Sequence, residues 1–241
     1  ALPYGIYEPL KEQIPEIEKI TFINSFDDEI MAAGDERFAT RGLAVRGDFF
    51  DIFDYEFLIG DAGCLESDSD IIVSESYATK LAGKPEQAMG MQIVPIDYTS
   101  QAYTVTGVIK DFDCNYWKSM DVICKGESPI NDGPQKNPIF TLSGVTFIQV
   151  AESTEAEDLK EKVVTIFKQL WGEKMPEDRM NQFASLIGLE RFDRLYFSGN
   201  YIDSYLNMGD RSQVIILLIG SLLLLVSAVI NYINLNLALT N

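Results

Sequence analysis

The stretch "VIILLIGSLLLLVSAVI", residues 214–230, constrains this chain more than any other feature. A helix needs about 20 mostly apolar residues to cross the hydrocarbon core of a bilayer. Gln213 to Ile233 supplies that length, interrupted only by Gln213, Ser221, Ser227, Asn231 and Tyr232 among polar side chains. Residues 212–241 hold no Asp, Glu, Lys or Arg, so the formal net charge of -18 sits entirely on the part before them. A soluble domain can bury an all-round apolar helix only with a large core, and 241 residues leave little chain to build one. The sequence therefore predicts one transmembrane helix, with Gln213, Gly220, Ser221 and Ile233 marking the span. Gly220 and Ser221 are small enough to admit a neighbouring helix. Tyr201 and Tyr205, shortly before the span, are the expected interfacial aromatics.

The acidic remainder repels phosphate backbones and anionic head groups, which argues against nucleic acid and against surface adsorption to lipid. Its depletion in positive charge predicts a place on the non-cytoplasmic side. The chain does not open on Met and is expected to be a piece of a longer protein. There is no His, which excludes Ser-His-Asp and Cys-His centres and any His metal ligand. Cys64, Cys114 and Cys124 form no CxxC pair. A Cys114–Cys124 bridge in an oxidising compartment and free buried thiols both stay open.

Other chemistry is sparse. "LAGKPE" lacks the loop and hydroxyl residue of a phosphate-binding P-loop. "DFDCNY" starts like a calcium loop with Asp111, Asp113 and Asn115, but Tyr116 and Val122 stand where Gly and Glu are required. "ESDSD", Glu66 to Asp70, reads as an exposed acidic loop. Ser74 sits at a strand-to-helix turn in "VSES", which lacks the nucleophile-elbow glycines and reads as a helix cap. No catalytic residue, cofactor or metal site is expected.

The soluble part reads as α+β. A short helix over Ile6–Ile14 ends at Pro15, and strands follow over Ile17–Phe26 and Phe38–Gly47. Asp48 is the expected N-cap of a short helix carrying Phe49, Phe50 and Phe53. Ile71–Val73 forms a buried strand, and Ser74 caps a helix whose face is Tyr77, Ala78 and Leu81 and whose end is Gly83. "MQIVPI" and "YTVTGVIKDF" are strands around the turn "DYTSQA", and "GESPINDGPQKNP" is a loop. After a strand at Val145–Val150, Thr154 and Glu157 form a capping box, Leu159, Val163, Ile166 and Leu170 share a helical stripe, and Asp158 pairs with Lys162. "RMNQFASLI" is taken as a strand, making residues 144–188 a β-α-β unit.

Five segments then come together in order: "GDFFDIFDYEFLIGD", "IIVSESYATKLAG", "AMGMQI", "YTVTGVIKDF" and "GDRSQVIILLIGSLLLLVSAVINYINL". Their order and spacing resemble the periplasmic domain and following membrane helix of FtsX-like, MacB-type ABC transporter permeases, over roughly residues 40–240. The first residues match less distinctly. The resemblance implies a porter-like β-α-β lobe (1–47 and 139–205), an inserted mostly-β lobe (48–138), and a linker with one transmembrane helix (206–241). It implies a non-enzymatic permease part in the bacterial inner membrane, residues 1–211 periplasmic, coupling cytoplasmic ATP hydrolysis to movement of a peptide, lipid, lipoprotein or drug. The implied partners are a cytoplasmic ABC ATPase, a second permease copy, and a periplasmic adaptor or outer-membrane channel. The alternative expectation is an extracellular peptide-sensing module signalling to a sensor kinase.

Overall fold

The computed structural model describes residues 6–96, 101–111, 120–126, 144–172, 175–197 and 209–240. The chain divides into two units, one of residues 1–189 with 203–205 and one of 190–202 with 206–241.

In the first unit, helix α1 (Tyr7–Gln13) turns Ile6, Tyr7, Leu10 and Ile14 inward. Glu8 in its first turn and Lys11 in its last complement the helix dipole. Pro15 then forces Ile14 out of the helical region, to φ -114° and ψ 95°. Strands β1 (Ile17–Ala33) and β2 (Glu36–Gly47) form one long antiparallel hairpin. The sequence places the end of the first strand at Phe26, but β1 continues to Ala33. At the break Phe26 faces Gly42 and Glu29 faces Thr40, so Asp27 and Asp28 together oppose Arg41. This is a β-bulge, with Asp28 at φ +59°. The extra residue shifts the alternation by one, which makes the strand look as if it stops.

After the hairpin come α2 (Phe49–Ile52), β3 (Phe57–Ile59), β4 (Asp70–Ser74), α3 (Glu75–Ala82), α4 (Pro85–Ala88), β5 (Gln92–Pro95), β6 (Tyr103–Ile109) and β7 (Val122–Lys125). Strand β8 (Val145–Val150) and helices α5 (Ala156–Trp171) and α6 (Glu177–Leu186) complete the unit. All eight strands belong to one sheet of order β2-β7-β4-β6-β5-β1-β8, with β3 on β6. Because β1 also pairs with β2, the strands β1, β2, β7, β4, β6 and β5 close a circuit of pairings. The β2–β7 and β4–β6 pairs are parallel, and the other links of the circuit are antiparallel.

Two cores follow. One joins α1, the first half of β1, α5 and α6, through Leu10, Ile20, Phe22, Val163, Phe167 and Met180 among others. The second joins the outer half of the hairpin to β4–β7 and α3, through Phe26, Met31, Ile71, Tyr77, Val105 and Val122. Gly42 permits that second contact: a Cβ there would lie 2.3 Å from Phe26 Cζ and 2.6 Å from Val122 Cγ2. On α3, Ser74 Oγ accepts from Tyr77 N at 3.2 Å, as expected of the cap. Gly83 ends the helix in the left-handed region at φ +79°.

Several local expectations are corrected. "RMNQFASLI" lies in helix α6, so the segment is β8-α5-α6 and β8 finds its neighbour in β1. Met180, Ala184 and Ile187 recur at i, i+4 and i+7 and are buried on the first core. Pro176 stands before the first turn, where Glu177 and Asp178 favour the dipole. On α5 the N-cap is Glu155 without a side-chain bond, and Thr154 Oγ1 is buried with no partner, so no capping box forms. Lys162 pairs with Glu16 across to β1's approach, drawn from Asp158 by a contact that joins two elements. Asp48 is the N-cap residue of α2, as expected, and its carbonyl accepts from Ile52 N at 3.0 Å, but its side chain makes no cap bond. Its carboxylate accepts from Ile20 N at 3.0 Å and from Lys11 Nζ at 3.2 Å, which ties the end of β2 to β1 and α1. Beside it Phe49 is buried, within 5.5 Å of the rings of Phe50, Phe53 and Tyr55, and Phe53 meets Phe147 of β8 edge-on.

Candidate functional site: an apolar helix and its lead-in

Among its described residues the first unit offers little reactive chemistry. Among the described residues no three His, Cys, Asp or Glu side chains converge as a metal site. Ser74 is committed to its cap, and Asp111 accepts from Ser76 N at 2.8 Å, which employs the first residue of the calcium-like stretch as a second cap on α3. Glu66–Asp70 closes on itself through Ser67 N and Asp70 Oδ2, 2.6 Å apart. The Cys124 thiol is free and fully buried, and burial pushes its pKa up to about 12. A thiol so held is protonated and unreactive. Cys64 is also free, and Cys114 lies outside the described residues. Between α1 and α5 an open groove of about 470 Å³ is lined by Gln13, Ile14, Asp158, Glu161, Lys162 and Thr165. Its charged lining, Asp158, Glu161 and Lys162, is of both signs.

The second unit is different. Helix α7 (Phe192–Leu195) is short, and its Arg191 grips Asp193 with two parallel hydrogen bonds of 3.1 and 2.9 Å. That guanidinium holds the Asp193 carboxyl below its ordinary pKa. Just after the helix, the Tyr196 and Phe197 rings stand edge to face at 4.7 Å. Gly209 N donates to Tyr196 O at 2.8 Å, and a Cβ at Gly209 would lie 2.3 Å from Tyr196 Cε1 and 2.9 Å from Phe197 Cε1. Only glycine lets the backbone lie this close to the rings. Sequence reasoning missed this clasp. Its signal, one Gly before an Asp at the head of an apolar run, is a common helix entry.

From Gly209 the chain passes into helix α8 (Arg211–Thr240). Asp210 is its cap: the carboxylate accepts from Ser212 N at 2.7 Å and from Gln213 N at 3.4 Å, placing negative charge on the helix N-terminus. At 1.5 Å per residue α8 is about 45 Å long, more than the roughly 30 Å of a hydrocarbon core. It is the helix among the described residues long and apolar enough to cross a membrane, and none of its apolar stretch is buried in protein. Gln213, Gly220, Ser221 and Ile233 all lie on it. Ser221 Oγ donates to Leu218 O at 2.8 Å, and Asn236 Nδ2 to Tyr232 O at 3.1 Å, so these polar groups are satisfied by their own helix. Nothing lies within 4 Å of a Cβ built on Gly220. Tyr201 and Tyr205 lie outside the described residues.

No family model and no curated protein matches the chain. Solved structures do. A domain assigned to a permease protein of Porphyromonas gingivalis superposes with a TM-score of 0.55 at 19% identity, covering 72% of this chain and 78% of that one. The periplasmic region of MacB from Actinobacillus actinomycetemcomitans gives 0.51 at 16% identity, over 78% and 85%. The extracellular domain of the noncanonic ABC-type transporter YknZ from Gram-positive bacteria gives 0.52 at 14%, over 71% and 84%. The fold is that of the MacB-type periplasmic domain. Such a fold accounts for the α+β class. At these identities the likeness carries the fold and leaves activity to be argued from the chain itself.

Proposed function

We propose that the chain is the extracytoplasmic part and adjoining membrane helix of an ABC transporter permease. It couples ATP hydrolysis by a cytoplasmic ATPase to movement of a substrate by mechanical transmission. The observation that carries this reading is a MacB-type fold leading, within one chain, into a helix able to cross a bilayer. On this reading residues 1–211 lie on the periplasmic side of a bacterial inner membrane, and α8 packs among other membrane helices. The two cores are the two lobes, 1–47 with 139–205 and 48–138, sharing the β1–β2 hairpin. Tyr201 and Tyr205 are proposed as the interfacial aromatics from their place in the sequence shortly before α8. The Gly209 clasp and the Asp210 cap support the coupling, because they make the entry to α8 a defined turn rather than a free tether. A stiff entry lets rigid-body movement pass from helix to lobe.

The test uses the permease assembled with its ATPase in a bilayer. Inserting a Gly/Ser segment after Tyr205 is expected to leave ATP turnover in place and abolish substrate movement. Unchanged transport would overturn the mechanical reading, and failure of any ABC ATPase to copurify would overturn the assignment.

A further inference from the structure

The residues that lead into α8 differ from those before them. Residues 190–211 are nearly neutral, with Glu190, Asp193, Asp203 and Asp210 against Arg191, Arg194 and Arg211, so almost all of the net charge of -18 lies on residues 1–189. They also present aromatic rings to solvent: Phe192 is 42% and Phe197 46% exposed, although α7 buries its Leu195. Water is a poor place for such rings. The head-group layer of a bilayer is a good one, since it accepts an apolar body and a polar edge together. The rings also have a fixed address. Tyr196 O accepts from Gly209 N at 2.8 Å, and the Tyr196 and Phe197 rings lie so close to Gly209 that a Cβ there would strike both. Gly209 stands just before Asp210 and the first turn of α8. Val214 to Ile233, at 1.5 Å per residue, fills a hydrocarbon core of about 30 Å. Gly209 then lies about 7 Å outside the edge of that core, at the depth of the head groups, which add about 5–7 Å on each side.

We propose that Tyr196 and Phe197, with Phe192 at the start of α7, form an interfacial anchor seated in the head-group layer of the leaflet that α8 enters. The inference rests on the reading of α8 as a membrane span. Continuity selects lipid over any other occupant. The rings are fastened to the backbone that enters the bilayer, so the layer they meet is the one α8 crosses. Near-neutrality agrees with this, because it spares the segment the repulsion that an acidic surface meets at anionic head groups. Tyr201 and Tyr205 are placed at the interface by sequence alone, whereas Tyr196 and Phe197 are tied to the head of α8 by a hydrogen bond and a close contact. The clasp joins anchor to helix, so the rings set the depth and tilt of α8. Sliding the helix by one turn, about 5 Å, would drag them out of their layer.

The experiment places the full chain in phosphatidylcholine vesicles that contain a lipid with a nitroxide either on its head group or near the end of an acyl chain. Phe197→Trp adds a fluorescent reporter at the anchor and Leu223→Trp adds one at mid-span, with the parent chain, which holds Trp117 and Trp171, as the blank. The added emission at 197 is expected to be quenched at least about twofold more by the head-group nitroxide than by the deep one, and the emission at 223 the reverse. Phe192→Trp, which leaves the clasp intact, is expected to repeat the pattern of Phe197→Trp. Adding Gly209→Ala is expected to lower head-group quenching at 197 at least about twofold while quenching at 223 stays unchanged. Three results would overturn the anchor: emission at 192 and 197 that neither nitroxide quenches, as for rings in water or under a protein partner; stronger quenching there by the deep nitroxide; or head-group quenching indifferent to Gly209→Ala. The reporter at 223 separates this from the reading beneath it. If 223 is quenched by the deep nitroxide, those results reject the anchor alone, and if it is not, the span falls with it.

Discussion

Tyr77 is a phenol fully removed from solvent, with its hydroxyl 2.6 Å from Thr40 Oγ1. In the neutral pair Thr40 donates to Phe38 O at 3.1 Å and accepts from Tyr77, and toward a Tyr77 phenolate its hydroxyl turns to donate. Burial pushes the Tyr77 pKa up to about 12; the Thr40 hydrogen bond opposes this and the nearby Asp121 adds to it. The unfolded chain releases that proton near pH 10. A folded pKa above the unfolded one means that the native state holds the proton longer. The stabilisation is therefore complete below about pH 10 and lost as pH rises toward 12. Two pKa units amount to about 3 kcal/mol. Urea midpoints measured from pH 9 to 12 are expected to fall, and Tyr77→Phe is expected to flatten the fall while costing about 1 kcal/mol at neutral pH. Equal slopes in the two proteins would contradict the burial. Cys124 pushes in the same direction, so some slope remains in the variant.

At the scale of elements, the hairpin β1–β2 belongs to both cores, and Gly42 is where its second strand meets β7. Gly42→Ala places a methyl group among Phe26 and Val122 and is expected to cost about 1–3 kcal/mol in urea unfolding. A neutral outcome would mean that β2 and β7 are not in close contact. How legible these elements were depended on how local their causes are. Pro15 stops α1, Ser74 and Gly83 bracket α3, and Leu159, Val163 and Ile166 line α5, all within a few residues. Met180, Ala184 and Ile187 carried an equally local helical period, but "RMNQFASLI" is short enough to pass for a strand. The bulge at Asp27 and Asp28 hid half of β1. Closure of the strand circuit was not legible at all, since it joins Gly42 to Val122 in a parallel pair that no turn signal announces. Of the candidate site, the apolar run stood out because a span depends on composition. The Gly209 clasp depends on rings more than ten residues away and left no such trace.

For the whole molecule the central relation is between residues 1–211, which carry the net charge of -18, and residues 212–241, which carry none. Such a division is costly in water, because α8 exposes apolar side chains along its whole length, Leu217, Leu224 and Leu239 among the most exposed. It is stable if the helix lies in lipid and the lobe in water. The most direct test is a depth profile. Single spin labels placed from Ser212 to Asn236 on the full chain in vesicles report their access to oxygen, which concentrates in hydrocarbon, and to a nickel chelate, which stays in water. The account predicts that oxygen access rises to a maximum near Leu223 and Leu224 and falls toward both ends, with nickel access its mirror image. Nickel access that stays high along the helix, or labels shielded from both agents throughout, would contradict it.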